Sequence, residues 1–241
     1  GQWLPLDPPS PDRATVGGLL ASNMTGPRRH GYGSPRDLVI GIEMALTDGR
    51  VARAGGRVVK NVAGYDLGRL LCGSFGSLAL VTQVIFKLSP LPQASATVTA
   101  SCPTSQAAAA LAQAVAASPL TPTALEIAVP EPRVLIRFET TPDAAARQAA
   151  AAAELCRAAG ADVRIIDGDL ERRTWQEVES RVWAPAHTVV RLALLPTRVA
   201  DTLDAVAADR DAFRVPPEDG GAEGIARIGA LIDDLVLGGP R

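Results

Sequence analysis

Two glycine-rich segments contain the residue types that could hold a flat ligand with phosphate groups. The first is residues 14–23 (ATVGGLLASN), and the second is residues 73–82 (GSFGSLALVT). Glycine has no Cβ, so its backbone can approach a ligand that any other residue would keep at a distance. A glycine pair that opens a helical segment also presents free amide donors to an anion. Because the two segments are joined by a clear hairpin signal, we interpret them as a site for a nucleotide-type cofactor.

The composition is that of an ordinary globular protein and excludes several classes of function. The chain has 241 residues, of which 47% are hydrophobic and 21% are charged, enough for one large domain or two smaller ones. A formal net charge of -2 provides no basic field for nucleic acid or for an anionic membrane. No apolar stretch approaches the ~20 residues that cross a bilayer. We therefore expect no nucleic-acid partner, no direct membrane insertion and a cytoplasmic location.

The cysteines and histidines are too few and too scattered to build a metal site. Three cysteines and two histidines occur, and their spacing fits neither a disulfide framework nor a zinc or iron–sulfur site. The histidines are His30 and His187, far apart in the sequence. No arrangement typical of a Ser/His/Asp or Cys/His nucleophile is present. We therefore predict no metal ligands, and we assign no catalytic residues.

The first ninety or so residues (1–92) show a pattern of short helices and strands that ends at a proline pair. Asp48-Gly49 predicts a type I′ hairpin turn, because this dipeptide tolerates the positive φ angles of that turn. Pro90-Leu91-Pro92 follows the last strand and is the clearest domain boundary in the chain. The predicted elements are, in order, helix 17–24, strands 37–46 and 51–54, helix 65–72 and strand 78–88.

The rest of the chain alternates strands and alanine-rich helices. The order β-α-β-β-α-β over residues 94–166 is that of a ferredoxin-like layer of α+β type. Residues 209–241 contain Pro216-Pro217 and several glycines, and we expect an irregular tail. The predicted elements are strand 96–101, helix 105–117, strands 124–129 and 134–139, helix 142–159, strand 162–166, helix 170–181, strand 188–195 and helix 198–208.

The glycine-rich segments and their neighbours resemble the FAD-binding domain of the vanillyl-alcohol-oxidase, or PCMH, type. Residues 25–29 (TGPRR) and 56–66 (GRVVKNVAGYD) are similar, within that family, to the FAD-binding subunit of glycolate oxidase (glycolate dehydrogenase). The likeness covers residues 1–92 well, and residues 93–195 agree only in element order with the cap domain of such proteins. The residues that carry it are Thr15-Val16-Gly17-Gly18, Asn23, Gly26, Tyr32-Gly33, Arg36-Asp37-Leu38-Val39, Gly41, Asp48-Gly49, Gly73-Ser74-Phe75-Gly76-Ser77-Leu78 and Lys87-Leu88.

The resemblance implies an α+β fold with a partial PCMH-type FAD-binding domain over residues 1–92, a ferredoxin-like cap domain over 93–208 and a tail over 209–241. Two departures from the family pattern accompany it. Family members normally begin with another small α/β subdomain, whose glycine-rich loop surrounds the FAD pyrophosphate, and residues 1–12 do not resemble it. The expected Asn-Pro-Gly-type turn near the C-terminus is also missing. We therefore expect a family member that is truncated at the N-terminus and altered near the C-terminus.

The resemblance also implies which residues contact FAD. In the family pattern the glycine amides lie against the flavin or the pyrophosphate, and the polar side chains after them face phosphate or ribityl oxygens. Lys60 would lie near flavin N1 and stabilise the negative charge of the reduced ring. The implied cofactor-binding residues are Thr15, Gly17, Gly18, Ser22, Asn23, Thr25, Gly26, Tyr32, Gly33, Lys60, Gly76, Leu80 and Val81.

Each of these residues also has a purely structural interpretation. The glycine pair can form a tight turn, and Ser, Asn and Thr commonly cap short helices or fill loops. Tyr32 can simply pack, Lys60 can be a solvated lysine, and the strand around Leu80 can be an ordinary buried strand. His30 is interpreted as a loop histidine and not as an attachment site for a covalent flavin. For His187 we expect a structural role as well.

The function implied by the resemblance is that of an FAD-dependent oxidoreductase, a subunit of a glycolate oxidase complex. Glycolate, a 2-hydroxy acid, would give glyoxylate, and electrons would pass from the flavin to an iron–sulfur partner subunit and onward to a membrane quinone. The sequence lacks a histidine-rich substrate site, which favours an auxiliary flavin subunit beside a paralogous FAD subunit. The complex would then lie in the cytoplasm, peripheral to the inner membrane face through its partners.

Two other functions remain open from the sequence. The first is a self-sufficient FAD-linked dehydrogenase of D-lactate or a similar 2-hydroxy acid, for which we would expect histidines in the cap. The second is a non-catalytic scaffold subunit that has lost FAD. The missing front subdomain favours the scaffold, whereas the glycines of both segments argue for the flavoprotein.

Overall fold

The computed structural model describes residues 1–58, 65–182 and 192–208. The chain forms two compact units. The first contains Gly1–Ala94 together with two short pieces, Pro122–Ala124 and Glu139–Thr141, and the second contains the remaining residues. Both units combine helices with antiparallel strand pairs, so the predicted mixed α+β class is confirmed. The domain limits at 92/93 and 208/209 stay predictions, and the tail 209–241 is outside the described residues.

The first unit is built around a three-stranded sheet of order β3-β2-β4. Both neighbours run antiparallel to the central strand, and Ala45 lies opposite Val51 on one side and Leu80 on the other. A separate two-stranded pairing joins β1 to β5. In chain order the elements are β1 (Gln2–Trp3), α1 (Val16–Ser22), α2 (Arg29–Tyr32), α3 (Pro35–Leu38), β2 (Val39–Ala45), β3 (Val51–Gly55), α4 (Leu67–Leu71), β4 (Leu80–Phe86) and β5 (Ser89–Pro90).

The core of this unit lies between one face of the sheet and helices α1 and α4. Leu20 of α1 is fully buried, and Leu71 of α4 is nearly so. They pack with Ile42 and Met44, which alternate along β2 as the inward face of a strand requires. Leu20 therefore fixes α1, with its two glycines, against the sheet through burial of apolar surface.

The β2–β3 turn differs in type from the prediction. The hairpin forms at the expected residues, but only Gly49 has a positive φ, of 83°. The Gly49 amide donates to the Leu46 carbonyl oxygen (3.0 Å), and the Leu46 amide donates to the Arg50 carbonyl oxygen (2.8 Å). A three-residue loop with glycine in the left-handed position explains this pattern. This loop has one residue more than a two-residue type I′ turn. It therefore needs one positive φ angle, whereas a type I′ turn needs two.

The strand predicted from residue 37 begins two residues later, at Val39, because a helical turn precedes it. Ser34 and Asp37 form a capping box in which the Ser34 amide and hydroxyl both donate to the Asp37 carboxylate (2.9 and 2.7 Å). Pro35 occupies the first helical position, where its missing N–H costs nothing. The hydrogen bonds from Ser34 lower the pKa of Asp37 below its ordinary value. A single helical turn is too short to show a period in the sequence.

The second unit contains a four-stranded sheet of order β7-β8-β6-β9. With β6 as its first strand, the order is the 2-3-1-4 arrangement of a ferredoxin-like layer, as the sequence predicted. Residues 192–195, the described part of the predicted strand 188–195, are irregular, and Leu195 precedes a proline that disfavours regular pairing. The elements are β6 (Ala94–Ser101), α5 (Ser105–Ala117), β7 (Ala124–Ala128), β8 (Arg133–Thr140), α6 (Pro142–Ala158), β9 (Asp162–Ile166), α7 (Gly168–Val182), a 3₁₀ turn (Pro196–Arg198) and α8 (Val199–Ala208).

A buried polar cluster joins α7 to the sheet of the second unit. One carboxylate oxygen of Glu171 accepts hydrogen bonds from Ser95 (2.6 Å), Thr97 (2.7 Å) and the Arg137 guanidinium (3.0 Å). The Trp175 indole N–H donates to the Thr97 hydroxyl (3.0 Å). The Glu171 side chain is only 3% exposed. A buried carboxylate must be paired, so these contacts determine where α7 lies on the sheet.

Among the helices of the described residues, none is long and apolar enough to cross a bilayer.

Candidate functional site

Helix α1 presents the first glycine-rich segment, and its start is fixed by a side-chain cap. The Thr15 hydroxyl accepts a hydrogen bond from the Gly18 amide at 3.1 Å, the usual contact of an N-cap threonine. One turn on, the Ser22 hydroxyl donates to the Gly18 carbonyl oxygen (2.7 Å). Thr15 and Ser22 therefore already form hydrogen bonds with the backbone of α1, as the structural interpretation of these residues predicted. Their remaining hydrogen-bonding capacity stays available to a ligand.

The two glycine-rich segments lie side by side. The Gly73 amide donates to the Leu20 carbonyl oxygen (3.1 Å), and the Phe75 amide donates to the Ala21 carbonyl oxygen (2.9 Å). The Phe75 amide thus takes up a carbonyl group at the end of α1, and the Gly73 amide shares the Leu20 carbonyl oxygen with the Asn23 amide (3.3 Å). Residues distant in the sequence are joined here by backbone hydrogen bonds, and Leu20 and Ala79 of the two segments lie in the same hydrophobic core.

The backbone of both segments is open to a ligand at two glycines. A Cβ added at Gly17 or at Gly76 would meet no other heavy atom within 4 Å. By contrast, a Cβ at Gly18 would lie 2.9 Å from the Thr15 hydroxyl oxygen. Nothing in the fold of the described residues therefore requires glycine at position 17. Its amide, like that of Val16, donates to no acceptor among the described residues.

Exposed apolar side chains accompany these glycines. Val16 is 51% exposed, Leu80 70% and Phe75 79%. Phe75 also has a φ of 52°, a left-handed conformation that bulky residues rarely adopt. Neighbouring Gly76, with a φ of 76°, adopts it without cost. The exposed Phe75 ring on a strained backbone is a feature that sequence reasoning missed.

Asn23 ends α1 and links it to α3. Its φ of 50° is the left-handed conformation of a helix C-cap, and asparagine is the non-glycine residue that tolerates it best. The Asn23 amide oxygen accepts a hydrogen bond from the Arg36 amide (3.3 Å). Asn23 thus caps the C-terminal end of α1, in agreement with the structural interpretation of this residue.

Three other predicted site residues belong to a separate aromatic and charged cluster. Tyr32 meets the Trp3 ring edge-on, with ring centroids 5.6 Å apart. Gly33 has a φ of 85° and lies tightly against Asp37, so glycine is needed there for the turn. A Cβ at Gly26 would overlap the backbone of Asp7. Gly26 and Gly33 thus allow close backbone packing, and the Tyr32 ring packs against Trp3.

Arg28 is the centre of that cluster. Its guanidinium makes a bidentate pair with Glu139 (2.7–3.1 Å) and lies 4.9 Å from the centroid of the Trp3 ring. The Asp7 carboxylate accepts hydrogen bonds from the Gly26 amide (3.1 Å) and the Arg28 amide (2.8 Å). Burial raises the pKa of Asp7 above its ordinary value despite these donors. The Arg28 side chain is therefore paired within the chain.

The remaining predicted residues are divided between core and surface. Val81 packs against the hydrophobic core of the first unit, while Leu80 beside it is exposed. Thr25 is half-buried and has a polar partner of its own. Lys60 lies outside the described residues. His187 lies outside them too.

A cleft of about 380 Å³ opens along one side of α1. Thr15, Gly18, Leu19 and Ser22 form one wall, at the i, i+3, i+4, i+7 spacing of a single helix face. The opposite wall comes from residues 8–14, which include Arg13. Three predicted cofactor residues thus line one cleft. The sequence analysis missed Arg13, although an arginine two residues before an N-cap threonine was visible as a signal.

The arrangement fits part of a nucleotide-type cofactor. Two free amides at Val16 and Gly17, an open backbone, exposed apolar side chains and an arginine-lined cleft all occur around α1. A flat ring needs the open backbone, and phosphate oxygens need the donors. The described residues contain no group of three or more His, Cys, Asp or Glu that could hold a metal ion. The chemistry that this surface offers is therefore binding and orientation.

Comparison with known protein families connects this surface with FAD. The model of the FAD binding domain family matches residues 1–55, which include α1, β2, β3 and the cleft. Residues 1–55 are thus similar to an FAD-binding domain, and the predicted resemblance is confirmed. The second glycine-rich segment and the whole second unit lie outside that match.

Curated relatives include two glycolate oxidase subunits and a D-lactate dehydrogenase. The chain is 48% identical over 96 residues to glycolate oxidase subunit GlcE of Escherichia coli (strain K12), which is 39% of this chain and 27% of the relative. It is 40% identical over 136 residues to glycolate oxidase subunit GlcD of Bacillus subtilis (strain 168). The aligned segment is 56% of this chain and 29% of that relative. It is 45% identical over 85 residues to a D-lactate dehydrogenase of Archaeoglobus fulgidus, and the aligned segment is 34% of this chain and 19% of that relative. The aligned segments thus cover less than a third of each relative.

Among solved structures, alkyldihydroxyacetonephosphate synthase has a similar fold. The match has a TM-score of 0.62 at 19% sequence identity and covers 76% of this chain and 39% of the other. At this identity the likeness is one of fold alone. It agrees with the mixed α+β class of this chain.

Proposed function

Because residues 1–55 match the model of the FAD binding domain family, we propose that this chain is the FAD-binding part of an oxidoreductase that oxidises a small 2-hydroxy acid. The observation that carries the proposal is the pairing of two glycine-rich segments through the Gly73 and Phe75 amides, with open backbone at Gly17 and Gly76. Relatives that are glycolate oxidase subunits and D-lactate dehydrogenases support the reaction class.

Around FAD the chain's own residues bind and orient. The free amides of Val16 and Gly17 donate to cofactor oxygens, and the open backbone at Gly17 and Gly76 lets a flat ring approach. The bound flavin supplies the hydride-accepting chemistry, which no side chain can supply. Asn23 holds the end of α1 in place through Arg36.

The other predicted contacts retain the roles that the family pattern implies. Leu80 and Val81 follow Gly76 into β4 and offer backbone groups beside the flavin. Lys60 supplies a positive charge to the reduced ring, and Thr25, Gly26, Tyr32 and Gly33 support the cofactor side of the loop after α1. We assign residues 1–92 to the FAD-binding domain and residues 93–208 to a cap domain.

For the substrate and partners we propose glycolate and a heteromeric complex. Two of the relatives are named as subunits of a glycolate oxidase, which supports assembly with a paralogous FAD subunit. The described residues contain no metal-binding cluster, so an iron–sulfur partner subunit would receive the electrons. The complex would lie in the cytoplasm, at the inner membrane face through its partners.

A D-lactate dehydrogenase is the second candidate function. It is supported by 45% identity to the Archaeoglobus fulgidus enzyme over 85 residues. The two functions differ in the acid that is oxidised, and both require FAD at the same glycines.

The test is flavin retention followed by reduction. The chain is incubated with FAD, freed of excess by gel filtration and scanned for a flavin absorption band, alone and with the co-expressed partner subunits. The loaded protein is then mixed anaerobically with glycolate or D-lactate. Bleaching of the band by glycolate supports the first candidate, and bleaching by D-lactate alone supports the second. A protein that retains no flavin in any of these preparations would refute both.

A further inference from the structure

The four-stranded sheet of the second unit ends at β9, an exposed edge strand. In the order β7-β8-β6-β9 this strand lies last, and it pairs antiparallel with β6. Three of its five residues, Asp162, Arg164 and Ile165, are exposed, whereas β7 at the opposite edge has no exposed residue. Among the described residues, the backbone groups of β9 that face away from β6 therefore have no strand partner.

β9 lacks the features that commonly protect the edge of a sheet. Proline, lysine and β-bulges occur at such edges because they prevent a further strand from pairing. Residues 162–166 (DVRII) contain neither proline nor lysine, and their register with β6 runs from Asp162 to Ile166 without a shift. The edge strand β4 of the first unit differs, because its pairing with β2 has two register shifts. β9 is thus a regular strand that can accept another strand.

The two faces of β9 differ in character. Asp162 and Arg164 are two positions apart, so their side chains project from the same face. Neither side chain forms an ion pair with another residue in the described part of the chain. On the opposite face Val163 is half-buried, and Ile165 is 48% exposed. The strand therefore presents one charge of each sign on one face and partly uncovered apolar surface on the other.

The sequence of β9 is complementary to itself in one antiparallel register, which is centred on Val163. In that register Asp162 of each copy lies opposite Arg164 of the other, and the two Val163 side chains meet. Ile165 lies opposite Ala161, a small residue that leaves room for it. Opposite-charge pairs and apolar pairs across two strands both stabilise antiparallel pairing. A register shifted by one residue in either direction would place Asp162 opposite an apolar residue.

We propose that β9 pairs with β9 of a second copy of this chain, so that two four-stranded sheets join into one sheet of eight strands. In this two-fold contact the same surface of each copy meets itself, with the axis at Val163. A five-residue strand buries little area, so the dimer forms reversibly at micromolar or higher concentration of the chain. The inference is independent of the proposed function, because the contact involves no cofactor, and every measurement uses the full chain without FAD.

The experiment is sedimentation equilibrium of the full chain from micromolar to submillimolar concentration. We expect the average mass of the wild type to rise with concentration toward that of a dimer. Arg164→Asp places like charges opposite each other at both pairs and should weaken the dimer roughly thirtyfold. Asp162→Arg should have the same effect for the same reason. Arg50→Asp is the matched control, because Arg50 is an exposed arginine of the first unit, and it should dimerise like the wild type.

Mixing the two single variants tests the register itself. Arg164→Asp and Asp162→Arg each repel a second copy of themselves, whereas one copy of each variant has opposite charges at both pairs. We therefore expect the mixture to dimerise with about the affinity of the wild type, as should the double variant Asp162→Arg/Arg164→Asp by itself. This recovery would also show that both single variants are folded. A wild type that stays monomeric over the whole range, single variants that dimerise like the wild type, or a mixture that stays monomeric would each overturn the inference.

Discussion

The most discriminating perturbation is a graded series at Gly17, the position where the fold of the described residues makes no demand for glycine. An added Cβ meets nothing within 4 Å, and φ at Gly17 is not positive. Glycine inside a helix is less stable than alanine by about 0.5–1 kcal/mol. We therefore expect Gly17→Ala to raise the free energy of unfolding by about 0.5 kcal/mol, and Gly17→Val to leave it nearly unchanged.

For FAD binding the same substitutions should have the opposite effect. A ligand atom in contact with the backbone gains roughly 0.1–0.2 kcal/mol for each neighbouring atom. A valine side chain that displaces a flat ring would remove on the order of ten to twenty such contacts, or about 2 kcal/mol, which is roughly thirtyfold in Kd. Alanine should cost less than valine because it fills less of the space.

The assay compares urea unfolding with FAD binding, measured by quenching of flavin fluorescence. Gly18→Ala is the matched contrast, because its Cβ would lie 2.9 Å from the Thr15 hydroxyl oxygen. It should lose about 1 kcal/mol of stability through disruption of the cap. If Gly17→Val binds FAD as tightly as wild type, or destabilises the protein as much as Gly18→Ala does, the reasoning is refuted.

Three further predictions concern stability, pH and thiol reactivity. Glu171→Ala leaves the Arg137 guanidinium without its buried partner and should lower the free energy of unfolding of the second unit by about 3 kcal/mol, measured by urea unfolding. Glu171→Gln should lower it less. A decrease below roughly 0.5 kcal/mol for Glu171→Ala would contradict this prediction. The lowered pKa of Asp37 means that its contribution to stability is present above the unfolded pKa of 3.8 and is lost as the pH falls through the folded pKa. Asp37→Asn should therefore flatten the stability of the protein as the pH falls below 3.8, and an unchanged slope would speak against the capping box. Burial raises the pKa of Cys72 and Cys156 to about 11, so at pH 8 on the order of 0.1% of either thiol is thiolate. Alkylation of these thiols by iodoacetamide should therefore be slow in the folded protein and fast in urea. Equal alkylation rates in the two conditions would disprove this prediction.

The elements whose signals are local were predictable from the sequence. Helix 105–117 has a threonine cap and a full run of alanines, and the structure places α5 at Ser105–Ala117. Asp66 precedes α4 as an N-cap residue, and its carboxylate accepts a hydrogen bond from the Arg69 amide (3.0 Å). The ferredoxin-like strand order also followed from the succession of elements. The two caps depend on residues within a few positions of one another, and the strand order depends on the order of the elements along the chain.

Features that depend on distant residues were not predictable. The Arg28–Glu139 pair joins residues 111 positions apart, and no pattern in a single sequence connects them. The single-turn helices α2 and α3 are too short to show a helical period. Phe75 has a left-handed φ because its amide is held by the Ala21 carbonyl oxygen, a contact that exists only once the two segments meet. The cleft with Arg13 similarly requires the loop to fold back on α1.

The most direct test of the central claim is amide hydrogen exchange of the chain with and without FAD. The claim is that the two paired glycine-rich segments form the cofactor surface. FAD should slow exchange at the free amides of Val16 and Gly17 and in the segment around Gly76. The β2–β3 turn around Gly49 should exchange equally in both states. Protection confined to other segments, with Val16, Gly17 and Gly76 unchanged at saturating FAD, would contradict the claim.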